Sequence, residues 1–260
     1  GECQSMANLA DLLSRRGREQ EARHYFALAE AGYRRASQIE PSNPRPRVDL
    51  AKTLLRAGRS AQANHQDEAA DLLHRTISVA REVTALLPGF VDSVVIECSA
   101  LYSIATLSGA ADTPDEAAGY ATAAMRLWHT LPETQRTDSA TVSLGNGILT
   151  ELALQRFDRD DLSGFELLGE GIGLWSEARR SHPESVDAAT GLGDALSDYA
   201  TWKAIYGEYA DSNAAFISAA EHLRAGLQVS DSPKARRQLH STLLVYADSA
   251  LTQGVSRQAI

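Results

Sequence analysis

Five prolines set the pattern of this chain. Pro41 (IEPSNP), Pro88 (LLPGF), Pro132 (LPETQ), Pro183 (SHPES) and Pro233 (SDSPK) each follow a long helical pattern, at separations of 47, 44, 51 and 50 residues. Proline removes a backbone N–H and clashes with the preceding turn, so each one marks a helix stop and a restart. A recurrence of this length points to a repeat architecture, which constrains the fold more than any single motif.

Between successive prolines lie two amphipathic segments joined by a short breaker. The breakers are Gly17-Arg18, Gly58 to Gln66, Gly109 to Pro114, Phe157 to Asp161 and Gly207-Glu208. The pattern predicts first ("A") helices near 5–16, 46–57, 92–107, 138–155, 185–205 and 234–252. Second ("B") helices are predicted near 19–39, 67–86, 115–130, 162–181 and 210–228. This makes five helical hairpins and a lone last helix. Asp67-Glu68 and Thr113-Pro114-Asp115-Glu116 supply caps and acidic first turns, and Thr137 or Asp138 is placed to cap the fourth A helix. Runs of alternating Val, Ile and Thr are almost absent, which disfavours sheet.

The residues Gly17, Ala22, Phe26 and Ala29 resemble the second half of a tetratricopeptide repeat. The same register returns seven residues later as Ala29, Tyr33, Ala36 and Pro41. Met6, Leu9, Ala10 and Leu13 fall on the family's A-helix packing positions. Leu50, Ala51 and Leu54 repeat this before Gly58, as do Cys98, Leu101, Tyr102 and Ala105 before Gly109. The likeness is crisp to about residue 110 and degenerate beyond, and the unit exceeds the family's usual length of about 34 residues. It implies an all-α, right-handed α-solenoid formed by a single domain, 1–260. Because the chain opens at Gly1-Glu2 without Met, it reads as a piece of a longer protein. Long repeats of this kind are similar to regions appended to bacterial signalling proteins, such as serine/threonine kinases and transcription regulators.

In the resembling family the A helices line a concave face that holds a peptide or a partner's segment. Projected onto this chain, the pattern implies that Asp11, Lys52, Ser99, Ser103, Asn146, Thr150, Asp194 and Thr201 contact a protein or peptide partner. Some members grip a C-terminal carboxylate with Lys, Asn and Arg. Asn8, Lys52 and Arg56 offer fragments of such a clamp, but the third repeat adds no basic partner. The alternative role is that of a ligand-sensing regulatory region.

Other chemistry finds little support. No pair among His24, His65, His74, His129, His182, His222 and His240 stands three or four apart as helical metal ligands would. Asp158, Asp160 and Asp161 resemble the start of a calcium loop, but Leu162 and Ser163 sit where an oxygen ligand and a glycine belong, so capping explains them better. Gly169-Glu170-Gly171-Ile172-Gly173 imitates a nucleotide fingerprint inside a helical pattern, without the preceding strand. Nucleophile elbow, Walker loop, zinc-protease motif and kinase signatures are all missing. Cys3 and Cys98 lack metal-ligand spacing. No cofactor, metal or catalytic residue is therefore expected, and the chain is not expected to be an enzyme.

Charge and hydropathy bound the partners. With 25 Lys or Arg against 34 Asp or Glu the net charge is -9, which argues against general nucleic-acid binding. Residues 1–81 carry 13 basic and 10 acidic side chains, leaving 12 and 24 for the remainder, so the two ends differ in sign. No uninterrupted apolar stretch of membrane-spanning length is evident. A soluble domain is expected, cytoplasmic or periplasmic, with its oligomeric state open.

Two further patterns need an explanation. Eight of the 18 glycines (Gly145, Gly147, Gly164, Gly169, Gly171, Gly173, Gly191 and Gly193) crowd the fourth hairpin and the helix after it. They imply close helix approach there rather than a bend. Tyr199, Trp202, Tyr206 and Tyr209 form a stripe at helical spacing, expected to be core.

Overall fold

A computed structural model describes residues 1–111 and 113–252. Among them every regular element is a helix, in the order α1 (Glu2–Arg15), α2 (Glu19–Ile39), α3 (Arg45–Ala61), α4 (Gln66–Leu86), α5 (Val91–Ala110), α6 (Pro114–His129), α7 (Glu133–Arg136), α8 (Ser139–Phe157), α9 (Gly164–Ser181), α10 (Val186–Ile205), α11 (Tyr209–Val229) and α12 (Pro233–Thr252). The chain divides into two compact units, one ending at Leu131 and the other beginning at Pro132. Each is built from helical hairpins, with the odd helices α1, α3 and α5 as A helices of the first. In the second, α8, α10 and α12 are the A helices.

The local signals act in part: the acidic first turns of α4 and α6 are present, but His65 rather than Asp67 stands at the start of α4, and neither it nor Thr113 makes a side-chain cap bond. Gly17 and Gly207 follow the A helices α1 and α10 with φ of 73° and 78°, a left-handed conformation that glycine alone adopts without strain. Asp138, rather than Thr137, caps α8, its Oδ2 accepting from the backbone N–H of Ala140 at 3.1 Å and Thr141 at 3.3 Å. Gly58 does not end its helix. The helix runs on to Ala61 because Gly58 is where Leu73 of α4 presses in: a Cβ there would lie 2.9 Å from Leu73 Cγ.

Within each unit, successive repeats are tied together by polar contacts at a nearly constant separation. Ser14 to Ser60 is 46 residues, Arg23 to Glu68 is 45, Arg59 to Ser103 is 44, and Ser197 to Thr242 is 45. The structural repeat is thus closer to 45 residues than the proline spacing alone suggests. The short α7, which follows Pro132, accounts for extra length in one interval. Each hairpin buries small and apolar residues between its helices and against the next pair, as a repeat must when one hairpin cannot cover its own apolar faces.

Among the described residues, Val91–Ala110 is long and apolar enough to cross a membrane by length and composition, with mean hydropathy 1.3. The sequence reading passed over it because Asp92 and Glu97 interrupt the run. In the fold 67% of its most apolar window is buried, and it packs against α3, α4 and α6. It is the core helix of the first unit, with Glu97 neutralised by Arg81 at 2.7 Å.

The glycines of the second unit divide into two groups. A Cβ on Gly191 would collide with the indole of Trp175, and one on Gly193 would come within 2.6 Å of Leu223 Cγ. One on Gly164 would come within 2.7 Å of Phe157 Cε1, and one on Gly171 would strike Asn146. These four allow close helix approach. Gly169 and Gly173 face open space, so no packing accounts for them.

Tyr199, Trp202 and Tyr206 pack with Phe157 and Phe165 in one aromatic cluster, Phe157 stacking on Trp202 with centroids 4.5 Å apart. Tyr209 departs from that stripe: it opens α11 and is 40% exposed.

Candidate functional site

The A helices carry the polar row that the sequence singles out, and the two units treat it differently. In the first unit the row is spent on internal contacts. Asp11 on α1 accepts from Arg56 Nε at 2.7 Å, while Arg56 Nη2 also donates to the carbonyl of Ala7 at 3.1 Å and to Asn8 Oδ1 at 3.2 Å. Lys52 pairs with Asp92 at 2.7 Å. The fragments of a carboxylate clamp, Asn8, Lys52 and Arg56, are therefore already engaged. Ser99 and Ser103 are buried in α5, and Ser103 Oγ accepts from Arg59 Nε at 3.1 Å.

In the second unit the row borders open space, although Asp194 accepts from Gln238 and Thr201 donates to the Ser197 carbonyl. Asn146, Asp194 and Thr201 line two adjoining depressions on the A-helix face, and Thr150 lines neither. The first, of about 380 Å³, lies between α10 and α12. It is lined by Asp194, Ser197, Asp198 and Thr201 on α10, Gln238, Ser241, Thr242 and Val245 on α12, and Phe216 from α11. The second, of about 260 Å³, lies between α8 and α10, and brings Ser143 and Asn146 opposite Asp187 and Asp194, with Lys234 at its edge. Asp194 lines both.

The sequence dictates this arrangement locally. Asp194 and Asp198 are one turn apart on α10, so both carboxylates project on the same helix face. The 44-residue separation places Gln238 beside Asp194, to which its Nε2 donates. Small residues at Gly191 and Ala195 keep α10 tight against its neighbours. Burial pushes the Asp194 carboxyl up to about 7, partly offset by Lys234, with Asp198 adding to the rise. Burial likewise pushes Asp198 up to about 6, although its side chain still meets water. A group walled by protein yet open on one side is what a concavity produces.

Asp198, Gln238, Ser241 and Thr242 escaped the sequence reading because the family register is degenerate past residue 110. The signal was present all the same, in an aspartate four residues after Asp194 and a polar cluster one repeat further on.

Elsewhere the chemistry is quiet. Cys98 is buried, donates to the carbonyl of Ala124 at 3.2 Å, and has its thiol pushed up to about 12 by burial, so it is a packing residue and not a nucleophile. Asp161 Oδ1 accepts the backbone N–H of Ser163 at 2.9 Å and pairs with Arg156 at 3.0 Å, forming the turn before α9 in place of the helix cap expected of the 158–161 carboxylates. Among the described residues no three His, Cys, Asp or Glu side chains converge as metal ligands.

No protein-family model matches the sequence, and no curated protein matches it. Solved structures do. BtubC from P. vanneervenii superposes with a TM-score of 0.65 at 14% identity, over 90% of this chain and 84% of that one. The fold is a tetratricopeptide-like helical repeat. Looser superpositions include MamA from Desulfovibrio magneticus RS-1, with a TM-score of 0.42 and 18% identity over 86% of this chain and 97% of that one. YrrB, described as a TPR protein with an unusual peptide-binding site, gives 0.36 and 16% over 91% and 89%. The BtubC likeness bears on fold alone, and the other two are too loose to carry weight.

Proposed function

We propose that this chain is a protein-interaction module that holds an extended, peptide-like segment of a partner on the A-helix face. The observation that carries this reading is the pair of polar depressions sharing Asp194. They run from α8 past α10 to α12, and their hydroxyls, amides and carboxylates suit a backbone whose own N–H and C=O groups need partners. Asn146, Asp194 and Thr201 are the principal contacts, with Thr150 flanking them. Asp11, Lys52, Ser99 and Ser103 belong to the same row by register, but Asp11, Lys52 and Ser103 are committed to internal bonds and Ser99 is buried. We therefore assign the partner to the second unit.

A random-peptide selection on the full chain tests this. Enrichment of a sequence motif, with capture weakened by Asn146→Ala or Asp194→Asn but not by Lys52→Glu, supports the proposal. Capture insensitive to all three removes the groove from the account.

A second reading, a ligand-sensing regulatory region of a signalling protein, is favoured by one observation. The larger of the two depressions, about 380 Å³, falls in the size range of small-molecule sites. Thermal stabilisation by a small molecule, with no peptide motif enriched, would favour it.

A further inference from the structure

The depression between α10 and α12 has an imbalance of hydrogen-bonding groups that identifies what it accepts. Its donors are largely spent. Thr201 Oγ1 donates to the carbonyl of Ser197 at 2.8 Å, Ser197 and Thr242 hydroxyls bond each other at 2.7 Å, and Gln238 Nε2 donates to Asp194. Apart from the Ser241 hydroxyl and one proton of the Ser197–Thr242 pair, what remains is acceptors: the rest of the Asp194 carboxylate, the Asp198 carboxylate, and Gln238 Oε1, which is enclosed and has no hydrogen-bond partner. None of the residues lining this depression is basic. Phe216, 1% exposed, and Val245 supply an apolar side to the same space.

A cavity rich in acceptors, short of donors and partly apolar fits a group with many N–H donors, a positive charge and an aliphatic stem. Two carboxylates a helical turn apart, about 5.4 Å along the axis, are spanned better by a planar guanidinium with five donors than by a compact ammonium. Phe216 and Val245 would cover the methylenes, as apolar surface does for long basic side chains elsewhere.

We infer that this depression is a specificity pocket for an arginine side chain of the bound segment, with Asp194 and Asp198 gripping the guanidinium and Phe216 and Val245 packing its stem. The inference rests on the peptide-groove reading and names what the groove selects. The charged groups around the two aspartates are few. Asp187 lies on α10 itself and Lys234 comes from α12, while α8 contributes the uncharged Ser139, Ser143 and Asn146 and α11 contributes Phe216. Lys234 is in reach of Asp194 alone, so Asp198 is left without a cation to balance it. Because burial favours protonated Asp194 and Asp198, an arriving guanidinium also has to draw both into the ionised form. Binding should then weaken as pH falls below about 7, where Asp194 protonates, and further below about 6, where Asp198 follows.

Titration of the isotope-labelled full chain with N-acetyl-arginine amide tests the pocket without any partner. The expected result is saturable amide shifts at Ser197, Thr201, Ser241 and Thr242, weaker with N-acetyl-lysine amide and absent with the isosteric, uncharged N-acetyl-citrulline amide. Asp198→Asn and Asp194→Asn should each weaken binding by about tenfold or more, the usual cost of losing a charged hydrogen bond. Both are near-isosteric changes at water-accessible positions, and unchanged circular dichroism verifies folding. Equal shifts from arginine and citrulline, or none from arginine, overturn the arginine pocket while leaving the peptide selection above to stand or fall independently. Peptides enriched in that selection without arginine would likewise overturn the pocket and keep the groove.

Discussion

Gly191→Ala is the substitution whose outcome the packing fixes most sharply. Trp175 of α9 is 5% exposed and lies in a cluster with Val142, Ala178, Ala188, Leu192 and Ala195. A Cβ on Gly191 would fall within 2.5 Å of the indole Cη2 and closer still to Cζ2 and Cε2. Carbon atoms rest at about 3.5 to 4.0 Å, so ring and helix must part by about 1 Å within a packed cluster. Such overpacking costs about 1 to 3 kcal/mol, while replacing glycine inside a helix returns at most about 1 kcal/mol. A net loss of about 1 kcal/mol, the middle of that cost less the helix gain, corresponds to a fall in Tm of about 2 to 4 °C. Gly173→Ala is the control. It sits on the neighbouring helix α9 with nothing within 4 Å of a new Cβ, so only the propensity gain applies and Tm should rise by about 2 to 4 °C. Thermal unfolding followed by circular dichroism and by tryptophan emission reads both. Trp175→Phe combined with Gly191→Ala should lose less than the sum of the two single changes, because the smaller ring makes room for the methyl. A Gly191→Ala protein as stable as the parent, or more so, would refute the argument that glycine is there for close approach.

Three further outcomes follow from local geometry. Asp194 holds its proton to about pH 7 in the folded chain and to about 3.9 when unfolded; its stabilising share is therefore complete below the unfolded value and lost as pH rises to 7. Asp194→Asn should accordingly gain on the parent across that window, reaching about 1 to 2 kcal/mol at pH 8 after discounting for the water that reaches the carboxylate, as read by denaturant unfolding at pH 4 and 8. Lys203, 8% exposed, places Nζ 4.1 Å from the Phe165 ring centre and 2.5 Å from Glu208; Lys203→Ala should cost about 1 to 3 kcal/mol in urea titration, and Lys203→Arg should restore part of it. Asp138→Ala should cost about 1 kcal/mol and raise amide exchange at Ala140 and Thr141, the two donors it caps.

Much of this architecture is legible in the residues because the determinants are local. Prolines stand between helices or in their first turns, and positions such as Phe26, Ala29 and Tyr33 keep a single apolar face, so most helix ends lie within two or three residues of where the pattern puts them. What is not legible depends on a neighbour distant in sequence. Gly58 reads as a breaker because nothing nearby reveals that Leu73 fills its missing side chain. The four-residue α7 lacks enough turns to produce a periodicity. The polar row is only half legible for the same reason. Asp11 and Lys52 look like binding residues until Arg56 and Asp92 are seen to occupy them, whereas Asp198 and Gln238 acquire meaning only when α12 is laid beside α10.

The groove itself is tested most directly by mapping where a selected peptide sits. Amide and side-chain shift perturbations on the isotope-labelled chain should cluster at Ser143, Asn146, Asp194, Asp198, Thr201 and Ser241, leaving the outer faces of α9 and α11 unmoved. Perturbations confined to those B helices, or to the first unit, would contradict the account.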